Sequence, residues 1–182
     1  MTAKIEKDFT FETAVHMDDK FFINSYWITV RMLVNTESQH EQNIAIERLN
    51  YFLTECVENS VFVNSKDDKA IEKYTMADIK VLTLPEDPFD QIVGIVLMAK
   101  LNAILEEKLY ITDITFFSKL TAGIKFHSPV EEIEEFSGKH WWNDPTLSTK
   151  EPKSNKKKDK IVRLFDSDDW AETGLVWKVK AD

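Results

Sequence analysis

Phe9-Thr10-Phe11-Glu12-Thr13-Ala14-Val15-His16-Met17, then Asp18-Asp19-Lys20, then Phe21-Phe22-Ile23-Asn24-Ser25-Tyr26-Trp27-Ile28-Thr29-Val30-Arg31-Met32-Leu33-Val34, is the stretch that decides the fold. Its first part alternates, with Phe9, Phe11 and Thr13 on one face and Thr10 and Glu12 on the other, which is the period of a strand. The second run is rich in β-branched and aromatic residues and holds no breaker, so it reads as a long strand. The acidic pair between them reads as a turn, and the whole as an antiparallel hairpin.

A helix is expected next. Ser38-Gln39-His40-Glu41 matches a capping box, and Ala45, Leu49, Phe52, Leu53 and Cys56 recur at helical spacing as one buried stripe. Cys56 on that stripe reads as a core residue, because free cysteine is among the most buried residue types. Val61-Phe62-Val63 is a short apolar segment, Lys66 to Tyr74 a helical turn or two, and Ile79 to Leu84 a strand. Asp87 followed by Pro88 is an N-cap signal for a helix running to about Lys108. That helix is apolar around most of its first half, so cover is expected on more than one side, from a sheet and from a neighbouring subunit. Leu109 to Phe117 and Gly123 to His127 complete a β-β-α-α-β-β order. The expected fold class is therefore α+β, an antiparallel sheet with two packed helices and a C-terminal tail.

The tail divides by composition. Residues 1–128 form the domain and 129–145 an acidic and aromatic connector containing His140-Trp141-Trp142. Residues 146–160 are a flexible linker holding six lysines, and 161–182 an aromatic–acidic segment. The linker has too little apolar surface to offset ordering entropy. Leu164, Phe165, Trp170 and Trp177, with Trp141 and Trp142, are the candidate docking residues, since large desolvated aromatics dominate interface energies. The competing reading packs residues 161–178 back on the domain or on a neighbouring subunit.

The net charge of −9 repels phosphate backbones, so nucleic acid is not an expected partner. One cysteine excludes an internal disulfide, and the opening Met1 to Asp8 is charged and lacks a signal-peptide hydrophobic region. The apolar run from Ile92 to Leu105 is shorter than the roughly 20 residues a membrane span needs. The expected location is the cytoplasm.

Catalytic signatures are sparse. Gly-rich phosphate loops and nucleophile elbows are absent, and His40, His127 and His140 lack metal-ligand spacing. The acid pairs Asp18-Asp19, Asp67-Asp68 and Asp168-Asp169 read as solvated turns. The sequence leans away from an enzyme, and no cofactor is expected.

Phe9-Thr10-Phe11-Glu12-Thr13-Ala14-Val15-His16 nevertheless resembles the first strand of the 6-pyruvoyl-tetrahydropterin synthase and 6-carboxytetrahydropterin synthase (QueD-like) family, in which a phenylalanine-rich strand ends in Ala-Ala-His. Leu84 to Gly94 resembles the family's Asn-Pro-Thr-Ala-Glu-Asn-Leu-Ala helix start. The resemblance covers roughly residues 8 to 128. It implies a tunnelling fold, assembly into a homo-oligomer, and zinc held by three histidines. His16 stands near the first ligand position, but the expected His-Gly-His falls on Asn24-Ser25-Tyr26. The family's cysteine nucleophile has no counterpart between Asp18 and Ile23, and its pterin-anchoring glutamate falls around Phe116-Phe117. The resemblance thus implies a degenerate, non-catalytic binding or assembly protein with a C-terminal docking segment. The alternative is a pterin or 7-deazaguanine pathway enzyme or ligand binder with a rearranged site of Glu12, His16 and Tyr26, where zinc would enter. The whole chain also resembles uncharacterised proteins of tailed bacteriophages, which implies an accessory protein in a host cytoplasm.

Overall fold

The computed structural model describes residues 3–129 and 140–150. Strand β1 (Lys4–Met17) pairs antiparallel with β2 (Lys20–Val34) over their whole length, closed by the Met17–Lys20 pair. Asp18 and Asp19 both have positive φ, 50° and 58°, the two-residue turn whose twist matches that of the strands it joins. Left-handed backbone disfavours a Cβ, so Asp19→Gly is expected to stabilise the hairpin by up to about 1 kcal/mol, read as a higher urea midpoint at unchanged slope.

Helix α1 (Gln39–Tyr51) begins where Ser38 accepts from the Glu41 N–H at 3.3 Å, and it runs into a π-helical turn, Phe52–Val57. The capping box is only half formed, because the Glu41 carboxylate takes the Thr36 hydroxyl and Lys108 instead of the Ser38 N–H. Then come β3 (Val61–Asn64), α2 (Asp68–Met76) and β4 (Val81–Leu84). Helix α3 (Asp90–Ile104), β5 (Leu109–Ser118) and β6 (Phe126–Pro129) follow.

The protein is α+β, with six strands in the order β4-β3-β1-β2-β5-β6. The sheet is mixed rather than wholly antiparallel. Strand β3 runs parallel to both β1 and β4: α1 and the π-helical turn carry the chain from β2 to β3, and α2 is the crossover that returns it from β3 to β4 in the same direction. Helix α3 starts two residues later than the Asp87-Pro88 signal implied. Asp87 instead accepts from Asn64 Nδ2 at 2.8 Å, and Phe89 is the N-cap.

The inward residues of β1 and β2, among them Phe9, Phe11, Tyr26, Ile28 and Val30, pack under α1, the π-helical turn and α3. Among the described residues the opposite face is covered at one end, where α2 lies over Ala14, Val61 and Val63. Helix α3 is buried nearly all round, as its composition implied, but a segment of the same chain supplies much of the cover. Residues 140–148 return across it, with Trp141 and Trp142 in the core and Leu147 packed against it. The lysine-rich stretch therefore starts inside the folded unit, because its first carbonyls are held by Lys100 (below). Leu164, Phe165, Trp170 and Trp177 lie outside the described residues.

Candidate functional site

Side chains alternate across a strand, so parity along the hairpin decides which residues can meet. Glu12 and His16 project to the outer face. Tyr26 stands opposite Phe11 and projects to the inner one, where its ring stacks on Phe11 and Phe116 with centroids 5.2 and 5.1 Å apart. The structure therefore does not bring Tyr26 together with Glu12 and His16. Four residue steps along the strand also separate Glu12 from His16 by about 13 Å.

Each has local work. The exposed Glu12 carboxylate accepts from Ser25 Oγ at 3.1 Å. His16 is buried, shares a 2.8 Å hydrogen bond between Nδ1 and the Tyr74 hydroxyl, and places Nε2 3.4 Å from Asp67 Oδ2. Asp67 Oδ1 meanwhile caps α2 by accepting from the Ala70 N–H at 3.0 Å. Both ends of α2 thus grip one imidazole, and His16 pins that helix to the sheet.

On the inner face a polar group interrupts the apolar core. Asn24 (1% exposed), Tyr26 (0%) and Ser118 (1%) face the Asp90 carboxylate (6%) at the first turn of α3. Asn24 Oδ1 accepts from the Leu120 N–H at 3.2 Å, and Asp90 Oδ2 accepts from Thr121 Oγ1 at 3.1 Å. Burial pushes the Tyr26 phenol well above its ordinary range and raises the Asp90 carboxyl, so the phenol stays protonated at neutral pH. Sequence reasoning passed over Asp90 and Ser118. The available signal was a carboxylate at the head of an otherwise apolar helix and a serine on the inward parity of β5.

The residues do not fit a three-histidine zinc site. Ligands to one ion must converge, yet His16 lies on the sheet face opposite Asn24 and Tyr26. A neutral amide and a protonated phenol are also poor zinc donors. Among the described residues, no three of His, Cys, Asp and Glu group closely enough to hold a metal. His40 is exposed, His127 Nδ1 bonds Thr115 Oγ1 at 3.0 Å, and His140 stacks on Trp142 at 4.3 Å. Cys56 is half-buried in the π-helical turn, and burial pushes its thiol up.

Trp141 and Trp142 serve the protein's own core rather than a partner. Trp141 is fully buried, donates its indole N–H to Thr83 O at 2.8 Å on the edge strand β4, and packs on Phe52 and Trp142. Beneath it lies Lys100, fully buried in α3, whose Nζ lies 2.8 Å from each of the carbonyl oxygens of Trp141, Asp144, Thr146 and Ser148, so that its three N–H groups are shared among the four acceptors. Burial draws this ammonium down to about 8, with Asp144 pulling it back up.

No known protein family matches the sequence, and no curated protein does. Solved structures match in fold. The uncharacterized protein WS1659 from Wolinella succinogenes is similar at 9% identity and TM-score 0.50, over 71% of this chain and 98% of that one. A catalytic-residue mutant of 6-pyruvoyltetrahydropterin synthase from Plasmodium vivax aligns at 9% identity and TM-score 0.47, over 71% and 99%. At such identity the likeness to the Wolinella protein speaks to the fold alone. Among the described residues, no helix is long and apolar enough to cross a membrane.

Proposed function

We propose that this chain is a non-catalytic binding or assembly module on a degenerate pterin-synthase-like framework. One observation carries the reading. At the three places where the sequence resemblance puts metal ligands stand a buried amide, a buried phenol, and a histidine on the wrong face already held by Tyr74 and Asp67. The outer face of the sheet supports an assembly role. It presents Phe21, Ile23, Trp27 and Tyr110 exposed, with Trp27 stacked on Phe117 at 5.1 Å. A second copy of the chain is the occupant proposed for that face, and residues 161–182 are the proposed docking segment for a protein partner.

Sedimentation velocity of the full chain and of a chain ending at Lys150 tests both parts. The full chain is expected to sediment as an oligomer, and Ile23→Asp with Trp27→Ser to reduce it to a monomer while the circular dichroism spectrum is kept. Loss of partner capture on truncation, with the oligomer retained, is the expected signature of the tail. A full chain that sediments as a monomer overturns the assembly reading. The alternative, a pterin or 7-deazaguanine ligand binder, requires His16 to be released from α2. Stoichiometric zinc in the purified protein, or a saturating pterin titration, would replace the proposal with that alternative.

A further inference from the structure

We infer that the N-terminal half of β1 is a docking edge for an extended, basic segment of a partner protein, which adds to the sheet as a further strand. Strand β1 spans Lys4–Met17, yet β3 lies beside it only at Ala14 and Val15. The Val34 N–H donates to Ala3 O, so the odd-numbered residues of β1 hydrogen-bond β2. The even-numbered ones turn the other way. Glu12 O accepts from the Asn59 N–H at 3.0 Å, and the Ala14 N–H donates to Ser60 O at 2.9 Å. Among the described residues, no backbone group continues this pairing along Lys4, Glu6, Asp8 and Thr10. Their N–H and C=O groups form an open edge about 20 Å long, which is a template for a strand from another chain.

The side chains along this edge select what docks. Glu6, Asp8 and Glu12 are exposed in a row on the outer face. Each is held through one oxygen, by Arg31 at 2.7 Å, Thr29 at 2.6 Å and Ser25 at 3.1 Å respectively. Arg31 offsets part of the charge but is shared with Asp113. Where the edge meets residues 58–60, Glu12 and Glu58 line a hollow of about 260 Å³, with room for a lysine or arginine head. A segment with basic residues at alternate positions brings those charges over the row, and the residues between them reach the inner face beside Ile5 and Phe9. A second copy docking by the same edge is disfavoured, because antiparallel pairing sets Asp8 against Asp8 or Glu6 against Asp8. The inference goes beyond the assembly role proposed above and does not depend on it, since the edge is open in a single chain.

Titration of the full chain with the peptide acetyl-Lys-Val-Lys-Val-Lys-Val-amide, followed by calorimetry, tests the docking. Saturable one-to-one binding is expected. Asp8→Asn, which keeps the side-chain shape, should weaken it roughly threefold, the scale of one exposed ion pair. Asp8→Lys should weaken it by roughly tenfold, with the circular dichroism spectrum kept. Backbone pairing is tested by two further peptides of equal charge, N-methylated at every lysine or at every valine. A strand added at an edge turns only one of these sets of N–H groups towards β1, so one peptide should lose binding and the other keep it. Absence of saturable binding, binding that both Asp8 substitutions leave unchanged, or equal binding of the two methylated peptides would each overturn the inference.

Discussion

Lys100→Met is expected to cost about 1–3 kcal/mol for each carbonyl left buried without a donor. Methionine matches the length of the lysine stem and keeps its packing, so the effect isolates the ammonium. That ammonium shares its three N–H donors among four carbonyls of one segment, residues 141–148, and lies over the rings of Phe52 and Trp141 at 5.6 and 5.9 Å. Without it the carbonyls either stay buried and unpaired or leave the core to find water. The second route limits the loss and predicts a distinct readout. Amide exchange across 140–150 should quicken far more than exchange in β1 and β2. Denaturation followed by tryptophan fluorescence gives the total.

The same lysine sets a pH dependence. Its folded value of about 8 lies below the roughly 10.4 of an unfolded lysine, so between these values the unfolded chain holds a proton that the folded one has released. Stability from this group is therefore lowest below about pH 8. It rises as pH climbs towards 10, by at most roughly 1.4 kcal/mol per unit. Lys100→Met should abolish that rise, and a rise that survives the substitution would assign it to another group.

Trp141→Ala is expected to cost about 3–5 kcal/mol, as for other fully buried large aromatics cut to alanine. The indole fills the space beside Phe52 and Trp142, and its N–H satisfies Thr83 O on the sheet-edge strand. A surface docking residue would behave oppositely, with stability unchanged and partner binding lost. The loss should also be less than additive with Lys100→Met, because both changes release one segment. A double-mutant cycle should give a coupling above about 0.5 kcal/mol.

The parity of Phe9, Phe11 and Thr13, the unbroken run from Phe21 to Val34, the Asp18-Asp19 turn and the stripe from Ala45 to Leu53 were all legible in the sequence. Each is a local pattern whose period or backbone preference is written in adjacent residues. The α+β class follows from them, whereas the expected two helices proved to be three, with α2 between β3 and β4. Three features depend on pairings across the chain, and only the tertiary structure decided them. The parallel placement of β3 and β4 required knowing where α2 returns the chain. The separation of His16 from Asn24 and Tyr26 came from strand register, because neighbouring positions point to opposite faces and a one-residue difference in parity puts a whole sheet between side chains. The burial of Trp141 and Trp142 came from Lys100, roughly forty residues earlier in the chain, which gathers four carbonyls that no local motif marks as partners. Local pattern thus determined what the segments are. Which faces meet was decided by long-range packing and by the need to satisfy every buried charge and carbonyl.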